Sequence, residues 1–381
     1  MRFVLFCHSL ASDWNHGNAH FLRGVASELI HRGHEVRAFE PRDAWSVQNL
    51  VLEAGPRALE AYRASYPTLR STRYDPSSLD LQEALDAADV VIVHEWNSHD
   101  LVKRVGEMRR RGGRFALLFH DTHHQSVTEP DGMAAYALED YDGVLAFGEV
   151  IRERYVESGW SRRAWTWHEA ADPRVFHPLD ADRTSDLVWI GNWGDDERSA
   201  EIRQFLIEPA RALRLSTCVH GVRYPEDARR ELADAGIDYR GWLPNYRAPE
   251  VYAQFRLTVH IPRRPYVEAL PGIPTIRVFE ALACGIPLVS CWWDDSESLF
   301  TAGGDFLMVR TPGEMRSAMA RLLQDSDFAS AIAQHGHRTV LERHTCAHRV
   351  DELLDIVATL SPRDGEGPTW SRAGTGSVRT V

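Results

Sequence analysis

The chain has 381 residues, of which 44% are hydrophobic and 26% charged, and its formal net charge is −12. This composition is typical of a soluble globular protein and excludes disordered or fibrous chains, and the length allows about two domains. The acidic balance argues against a general nucleic-acid-binding protein. Apolar stretches fall short of the roughly 20 residues that span a bilayer, and the apolar start is too short for a secretory signal. We therefore expect a cytoplasmic protein without a transmembrane segment.

The rarer residue types carry information about ligands and compartment. Lys103 is the only lysine, so we expect any bound phosphate to be held by arginine, backbone N–H groups or helix N-termini. The five cysteines form no CxxC pair, which favours buried free thiols in a reducing compartment. Abundant arginine and alanine with almost no lysine is also typical of a GC-rich bacterial genome.

Strand and helix patterns alternate along the first half of the chain. Residues Arg2–Cys7 form an apolar run, and after a polar loop apolar residues recur at helical spacing until Gly33, which suits a helix C-terminus. The alternation returns with the runs DVVIVHEW, RFALLFHD and DGVLAFG. Strands that are apolar on both faces and separated by helices predict a doubly wound α/β domain with a parallel sheet.

A segment rich in proline and aspartate, HEAADPRVFHPLDADRTSD, interrupts this alternation and is predicted to join two domains. Further strand runs follow it (DLVWIG, STCVHG, LTVHIP, IPLVSCWW and FLMVR), and from Pro312 to about Leu360 only helical patterns remain. We expect two Rossmann-like domains facing a cleft. The predicted division is a first domain at 1–172, a linker at 173–185, a second domain at 186–345, a C-terminal helix at 346–360 and a disordered tail at 361–381.

The most informative stretch is PGIPTIRVFEALACGIP. Thr275 can cap a helix from Ile276 to Cys284, whose free N–H groups would attract an anion. Arg277 and Glu280 are three residues apart and share one face of that helix. They offer a cation for a pyrophosphate and a carboxylate for a ribose diol. An ordinary Arg–Glu surface pair on a capped helix would have the same spacing.

Within this stretch, FEALACGIP resembles the donor-site motif of GT-B glycosyltransferases of the large retaining group-1 (family 4-like) class, and GIPTIRVFEALACG is closest to its CgeB-like spore-maturation branch. The resemblance implies that the second domain binds a nucleoside-diphosphate sugar and that the first binds the acceptor. It implies that Glu280 binds the ribose hydroxyls. The diphosphate would be held by Arg277, Arg198, Thr275 and Ile276. No cofactor is implied, because the nucleotide sugar is a co-substrate.

The sequence departs from that class at two places on the donor side. Gly272 stands where the class has a second glutamate that touches the sugar. After the first strand of the second domain come Gly191 and Asn192, with Asn192 in place of an arginine of the class, and Arg198 lies one residue past the lysine position. These departures weaken two implications of the resemblance: how the sugar is held, and whether its anomeric configuration is retained. They keep open a non-catalytic protein that binds a nucleotide sugar.

Three loops after strands of the first domain carry polar residues that are expected to face the cleft. The candidate catalytic and acceptor-side residues in these loops are His16, Gly17, Asn18, Glu95, Trp96, His120 and Asp121. In the retaining class a histidine near this place contacts the donor sugar, and His120 is the best match. Inverting GT-B enzymes use a histidine oriented by an aspartate, which His16 and Asp121 could provide. A nucleotide-sugar epimerase is a further alternative.

Two sets of residues are spaced like metal ligands, but we interpret both as structural. Asp180 and Asp182 match a DxD motif, but they lie in the linker rather than after a buried strand. A histidine-rich set lies along helical patterns that also carry core positions: His335, His337, His344, Cys346 and His348. We therefore predict no metal site. The expected partners are a nucleotide-sugar donor and an unknown acceptor, without nucleic acid.

Overall fold

The computed structural model describes residues 1–360, so the predicted tail lies outside the described residues. The first domain contains seven strands: β1 Arg2–Phe6, β2 Glu35–Pro41, β3 Ser71–Tyr74, β4 Val90–His94, β5 Ala116–Asp121, β6 Gly143–Ala146 and β7 Ala164–Thr166. They pair in the order β3-β2-β1-β4-β5-β6-β7, and every pairing is parallel.

The second domain contains six strands: β8 Ser185–Ile190, β9 Thr217–His220, β10 Ile237–Tyr239, β11 Phe255–His260, β12 Leu288–Cys291 and β13 Leu307–Val309. Their order is β10-β9-β8-β11-β12-β13, again with parallel pairing throughout. In both sheets the order reverses direction beside the first strand, which is where open α/β sheets bind ligands. The predicted pair of doubly wound domains is confirmed.

Helices cover both faces of each sheet. In the first domain they are α1 Ala19–His31, α2 Trp45–Ala54, α3 Arg57–Ser65, α4 Leu81–Ala84, α5 His99–Arg110, α6 Gln125–Thr128, α7 Pro130–Ala134 and α8 Glu149–Glu157. The second domain has α9 Ser199–Ile202, a π-helical stretch Arg203–Ile207, α10 Glu208–Leu213, α11 Glu226–Asp234, α12 Ala248–Tyr252, α13 Arg264–Glu268, α14 Ile276–Ala283, α15 Pro312–Gln324, α16 Ser326–Arg343 and α17 Cys346–Thr359.

The last helix returns to the first domain. Helix α17 packs along α1, where the Sγ atom of Cys346 lies 2.4 Å from the position that a Cβ on Gly24 would take. The indole N–H of Trp167 donates to the carbonyl oxygen of Arg349 at 2.8 Å. Val350 and Leu353 share a core cluster with apolar residues of the first sheet. The final helix therefore completes the core of the domain in which the chain begins.

Two sequence-based expectations about chemistry can be checked in the fold. All five cysteines are buried and free, as predicted. Within residues 1–360, no helix is long and apolar enough to cross a membrane.

The C-terminal ends of β1, β4 and β5 face those of β8 and β11 across the domain junction. This arrangement places the strand-end loops of both domains on one cleft.

Candidate functional site

The two domains enclose a cleft of about 400 Å³. Its walls include the loop between β1 and α1 and the loops that follow β4 and β5. On the other side, the loops after β8, β9 and β11 and the start of α14 complete the cavity. The cleft is therefore built from loops at the carboxyl ends of strands in both sheets.

Two helix N-termini meet in this cleft. A Cβ atom on Gly17, just before α1, would lie 3.4 Å from Cγ2 of Ile276, the first residue of α14. The N-cap residues are Asn18 and Thr275, and neither side chain caps its helix. Thr275 takes the predicted N-cap position of α14, but its hydroxyl does not cap the helix, because it pairs with Nε2 of His260 at 3.0 Å. Neither partial positive helix end is closed by a side-chain cap, although the N–H groups of Ala19 and His20 in α1 bond to the backbone carbonyl groups of His16 and Gly17.

Three guanidinium groups surround these helix ends, from Arg198, Arg263 and Arg277. Burial, reinforced by the charges of Arg263 and Arg277, lowers the pKa of Arg198 to about 10. The Nε atom of Arg198 is buried without a hydrogen-bond partner among the described residues, although its other nitrogens donate to the carbonyl groups of Asn192 and Ile261. Arg263 pairs with Glu197 and Arg277 with Glu280, whereas Arg198 has no carboxylate partner among the described residues, so its charge is the one left to favour an anion.

Glu280 lies beneath the cleft and does not line it, with an exposed fraction of 0%. Its Oε1 atom accepts from Nδ1 of His20 at 2.8 Å and from Nδ2 of Asn245 at 3.0 Å, and its Oε2 atom pairs with Arg277. The Nε2 atom of His20 accepts from the N–H of Asp172, so Nδ1 carries the proton. Burial would raise the pKa of Glu280, but Arg277 and His20 outweigh it and lower that pKa.

A second buried carboxyl group, that of Glu169, lies near this cluster. Burial, together with the negative charge of Glu280, raises the pKa of Glu169 to about 8. Its Oε1 atom has no hydrogen-bond partner in the described chain, and the backbone N–H of Ile276 offsets only part of this rise in the pKa. The group is therefore mainly protonated at neutral pH and adds little negative charge beside the anion-binding helix end.

Gly272 also lies outside the cleft wall. Its φ angle is +85°, and a Cβ there would be 2.5 Å from Oε1 of Glu297, so glutamate cannot occupy this position as it stands. Glu297 bridges the domains instead: it accepts from the N–H of Glu149 at 2.8 Å and contacts Nε2 of His168 at 2.9 Å. A carboxylate from a different loop thus fills the space at Gly272.

On the opposite wall, His16 is the histidine best placed to contact a ligand. Burial, then the charges of His8 and Arg23, lowers its pKa well below the ordinary value, so the ring is neutral. The backbone of Ser9 offsets a small part of this fall in the pKa. His16 lines the cleft, and its Nε2 atom is a buried nitrogen without a hydrogen-bond partner among the described residues.

The structure does not place His120 on the cleft, because β5 continues through Asp121 and holds the His120 side chain against the sheet core. The ring is fully buried, 4.9 Å from the ring of Trp167, and burial lowers its pKa to about 3. Asp121 accepts from the hydroxyl of Tyr155 at 2.9 Å and makes no hydrogen bond with His16 within the described residues. The proposed His16–Asp121 pair is therefore not formed.

Glu95 is likewise buried behind the wall, where Oε1 accepts from the N–H and the hydroxyl of Thr122 at 2.9 Å each. Burial and the neighbouring Asp121 raise its pKa well above the ordinary value. The other predicted residues reach the cleft. They are Gly17, Asn18, Trp96, Gly191, Asn192, Arg198, Thr275, Ile276 and Arg277.

Sequence reasoning missed several cleft residues. Arg263 follows β11 in the sequence HIPRRP and pairs with Glu197 at 2.8 Å. Trp45 begins α2 and also lines the cleft. Arg263 could have been found, since it follows a recognised strand. Trp45 could not, because it follows β2, whose polar residues conceal the strand.

Each residue of the declined metal patterns has a local explanation. Asp180 and Asp182 are exposed in the linker. Nδ1 of His335 contacts Asp305 at 2.6 Å, and the rings of His337 and His344 bond to backbone carbonyl groups. Within residues 1–360, no group of three or more acidic, histidine or cysteine side chains is arranged to hold a metal ion.

Together, the two parallel sheets, the cleft and the returning helix define the GT-B fold. Residues 198–355 match a protein family described as "Glycosyl transferase-like". The matched range is less than half of the chain, and it contains Arg198, Arg277 and Glu280. No curated protein matches the chain.

Solved structures with similar folds span nearly the whole chain. HepE from Anabaena, solved with UDP-glucose, has a TM-score of 0.67 at 12% identity, covering 94% of this chain and 100% of that one. Sucrose-phosphate synthase from Thermosynechococcus elongatus gives 0.63 at 14%, covering 94% and 98%. An alpha-glucosyltransferase solved with UDP-glucose and DNA containing an abasic site gives 0.65 at 13%, covering 94% and 100%. At such low sequence identities, the structural similarity establishes the fold alone.

Proposed function

We propose that the protein is a glycosyltransferase that moves a sugar from a nucleoside-diphosphate sugar to an acceptor bound by the first domain. The observation that supports this most directly is the meeting of the α1 and α14 N-termini, both without side-chain caps, among Arg198, Arg263 and Arg277. A diphosphate is the anion that suits two helix ends and three guanidinium groups. The family match over the second domain and the UDP-glucose complexes of similar folds are consistent with such a donor.

The transfer breaks the bond between the anomeric carbon and the diphosphate oxygen, and the electron pair leaves with the nucleoside diphosphate. A hydroxyl oxygen of the acceptor forms the new bond to that carbon. Negative charge grows on the diphosphate in the transition state, where the helix ends and the guanidinium groups stabilise it. Binding of the nucleotide alone would be expected to use the same contacts.

We propose retention of the anomeric configuration, following the resemblance of the donor motif, so the acceptor proton passes to the departing diphosphate. Proton NMR of the anomeric signal measures this outcome. An inverted product would instead make His16, which lines the cleft, the base. In that case His16→Ala should lower turnover by roughly 10²–10⁴-fold while nucleotide affinity stays unchanged.

We propose that the diphosphate is neutralised by arginine and helix ends, without a metal ion. Activity should then survive excess EDTA, measured as release of nucleoside diphosphate with acceptor present. Loss of activity in EDTA, followed by recovery on adding Mn²⁺ or Mg²⁺, would contradict this part of the proposal. It would direct attention back to Asp180 and Asp182.

The donor is tested first by thermal shift with UDP, GDP, ADP, CMP and dTDP. A ligand at 100 times its dissociation constant should stabilise the fold by about 2.7 kcal/mol. Arg198→Ala should weaken the best ligand, whereas Arg230→Ala, on an exposed face of α11, should not. No shift with any nucleotide would refute the proposal. Sugar transfer to an added acceptor distinguishes a transferase from an epimerase, and turnover itself excludes a binding protein.

A further inference from the structure

The first-domain half of the cleft contains a corner of two tryptophans. The ring centroids of Trp45 and Trp96 are 6.2 Å apart and their planes meet at 71°. Both side chains are half-buried and both line the cleft. The two rings meet edge to face and offer apolar surface to the cleft, and their indole N–H groups can still donate hydrogen bonds.

The corner is held rigidly from behind. The ring of His8 packs on Trp45 at 4.5 Å, and its Nε2 atom accepts from the N–H of Ser46 at 3.4 Å. Beside Trp96, the amide of Asn97 donates to the carbonyl groups of Phe6 and His94 at 2.9 and 2.8 Å. Aromatic walls supported in this way present a preformed surface, which reduces the entropy lost on binding.

Charge is divided sharply between the two halves of the cleft. Among the described lining residues, the first domain contributes no arginine or lysine, and it contributes the carboxylates of Asp13 and Glu129. The second domain contributes four arginines, Arg198, Arg223, Arg263 and Arg277, and one carboxylate, Glu197, which pairs with Arg263. An anionic acceptor would therefore find no cation on its own side of the cleft, and an exposed carboxylate at Glu129 would repel it.

We propose that the acceptor is a neutral saccharide whose ring packs in the corner of Trp45 and Trp96, beside His16. This inference rests on the proposed function, since it names the acceptor class of the same site. The C–H groups of a pyranose face are apolar and fit an indole face, while its hydroxyls remain free for polar neighbours. His16, Asn18 and Gln125 provide such neighbours on the same wall. A phosphorylated sugar, an anionic lipid and a polynucleotide all lack a cationic partner there.

The test measures binding to the full chain by isothermal titration calorimetry, in the presence of the nucleotide that gives the largest thermal shift. The neutral probes are cellobiose, maltose and lactose. The anionic probes are glucose 6-phosphate, vesicles of phosphatidylcholine with phosphatidylglycerol, and a DNA duplex. We expect at least one neutral saccharide to bind. Trp96→Ala and Trp45→Ala should each weaken it about tenfold.

Two further variants separate stacking from folding. Trp96→Phe keeps an aromatic wall and should retain more affinity than Trp96→Ala. Trp292→Ala removes a tryptophan of the second domain that stacks with Arg310, and it should leave saccharide binding unchanged. Saccharide binding that is indifferent to both cleft tryptophans, or binding of the anionic probes alone, would overturn the inference.

Nucleotide affinity measured on the same samples keeps the two proposals apart. If a nucleotide binds and no neutral saccharide does, the acceptor inference fails and the proposed donor stands. If a saccharide binds through the tryptophan corner and no nucleotide binds, the corner is supported as a saccharide site. The proposed transferase function then fails.

Discussion

The cluster around Glu280 and the row of histidines formed by His16, His94 and His120 are buried to a similar degree, but their polar atoms are satisfied very differently. Both carboxylate oxygens of Glu280 have protein donors. In contrast, His120 has no partner on either ring nitrogen and His16 has none on Nε2, among the described residues.

The difference separates atoms that hold the structure from atoms that remain available. A buried polar group with all its partners adds specificity to the packing, whereas one without them costs free energy. Glu280 joins α1, α14 and the loop carrying Asn245, so it fixes how the two helix N-termini meet. His16 belongs to the cleft wall, and its Nε2 atom has no protein partner among the described residues. His120 faces only the core.

The largest effect is expected from Glu280→Ala. This substitution leaves the guanidinium of Arg277 and the amide of Asn245 without their acceptor, and loss of one partner of a buried ion pair costs about 3–5 kcal/mol. Urea unfolding measures the loss. Glu280→Gln keeps one acceptor oxygen and should cost less.

Glu280→Gln also tests the prediction that Glu280 binds the ribose hydroxyls. If ribose hydroxyls share this carboxylate, affinity for the nucleoside diphosphate should fall while affinity for pyrophosphate stays the same. The matched control is Glu157→Gln at the exposed end of α8. If both Glu280 variants have the same free energy of unfolding as the wild type, the cluster does not stabilise the fold.

Glu169 is intermediate between Glu280, whose oxygens all have partners, and His120, whose ring nitrogens have none. Its contribution to the free energy of unfolding should depend on pH. Its pKa is raised from the ordinary 4.5 to about 8, so between these values the folded state binds more protons than the unfolded state. Its contribution to stability therefore falls as pH rises, by up to about 1.4 kcal/mol per pH unit. Glu169→Gln should remove this slope and gain stability over the wild type at pH 8.

The measurement is the difference in unfolding free energy between variant and wild type at several pH values. Taking the difference cancels the other titrating groups that the two proteins share. A difference that stays constant from pH 5 to pH 8 would mean that Glu169 is ionised in the folded protein.

The smallest effect is expected from His120→Leu. Because neither ring nitrogen has a partner, the substitution removes an unsatisfied polar group and should leave stability unchanged or raise it by about 1–3 kcal/mol. His94→Leu is the matched control, since Nε2 of His94 pairs with the hydroxyl of Thr122 at 3.1 Å. A large fall in turnover at unchanged melting temperature would restore the sugar-contact role predicted for His120.

Most of the fold followed from apolar runs. The strands that were recognised, such as β4 and β5, are buried along nearly their whole length. Those that were missed are β2, β3, β7 and β10. Polar residues interrupt β2, and one of them, Glu40, is fully buried because Ser9 and the N–H of Leu10 donate to it. The others have three or four residues each and lie at sheet edges, where a short half-exposed strand leaves little pattern.

The candidate site could be predicted only in part. The start of α14 was located because capping positions and an Arg–Glu spacing are local features of sequence. Which side of β5 His120 faces depends on where the strand ends, and one residue changes the face. That His20 and Asn245 would both reach Glu280 could not be predicted, since they lie 260 and 35 residues away in the chain.

The packing of α17 on α1 sets an order for synthesis on the ribosome. The first strands emerge at the outset, but Cys346, Val350 and Leu353 complete their core only after the whole second domain has been made. The second domain has its own apolar cluster and can fold while it waits. The core of the domain that is translated first is thus completed last, and the surface of α1 that α17 covers stays exposed until the final helix has been made.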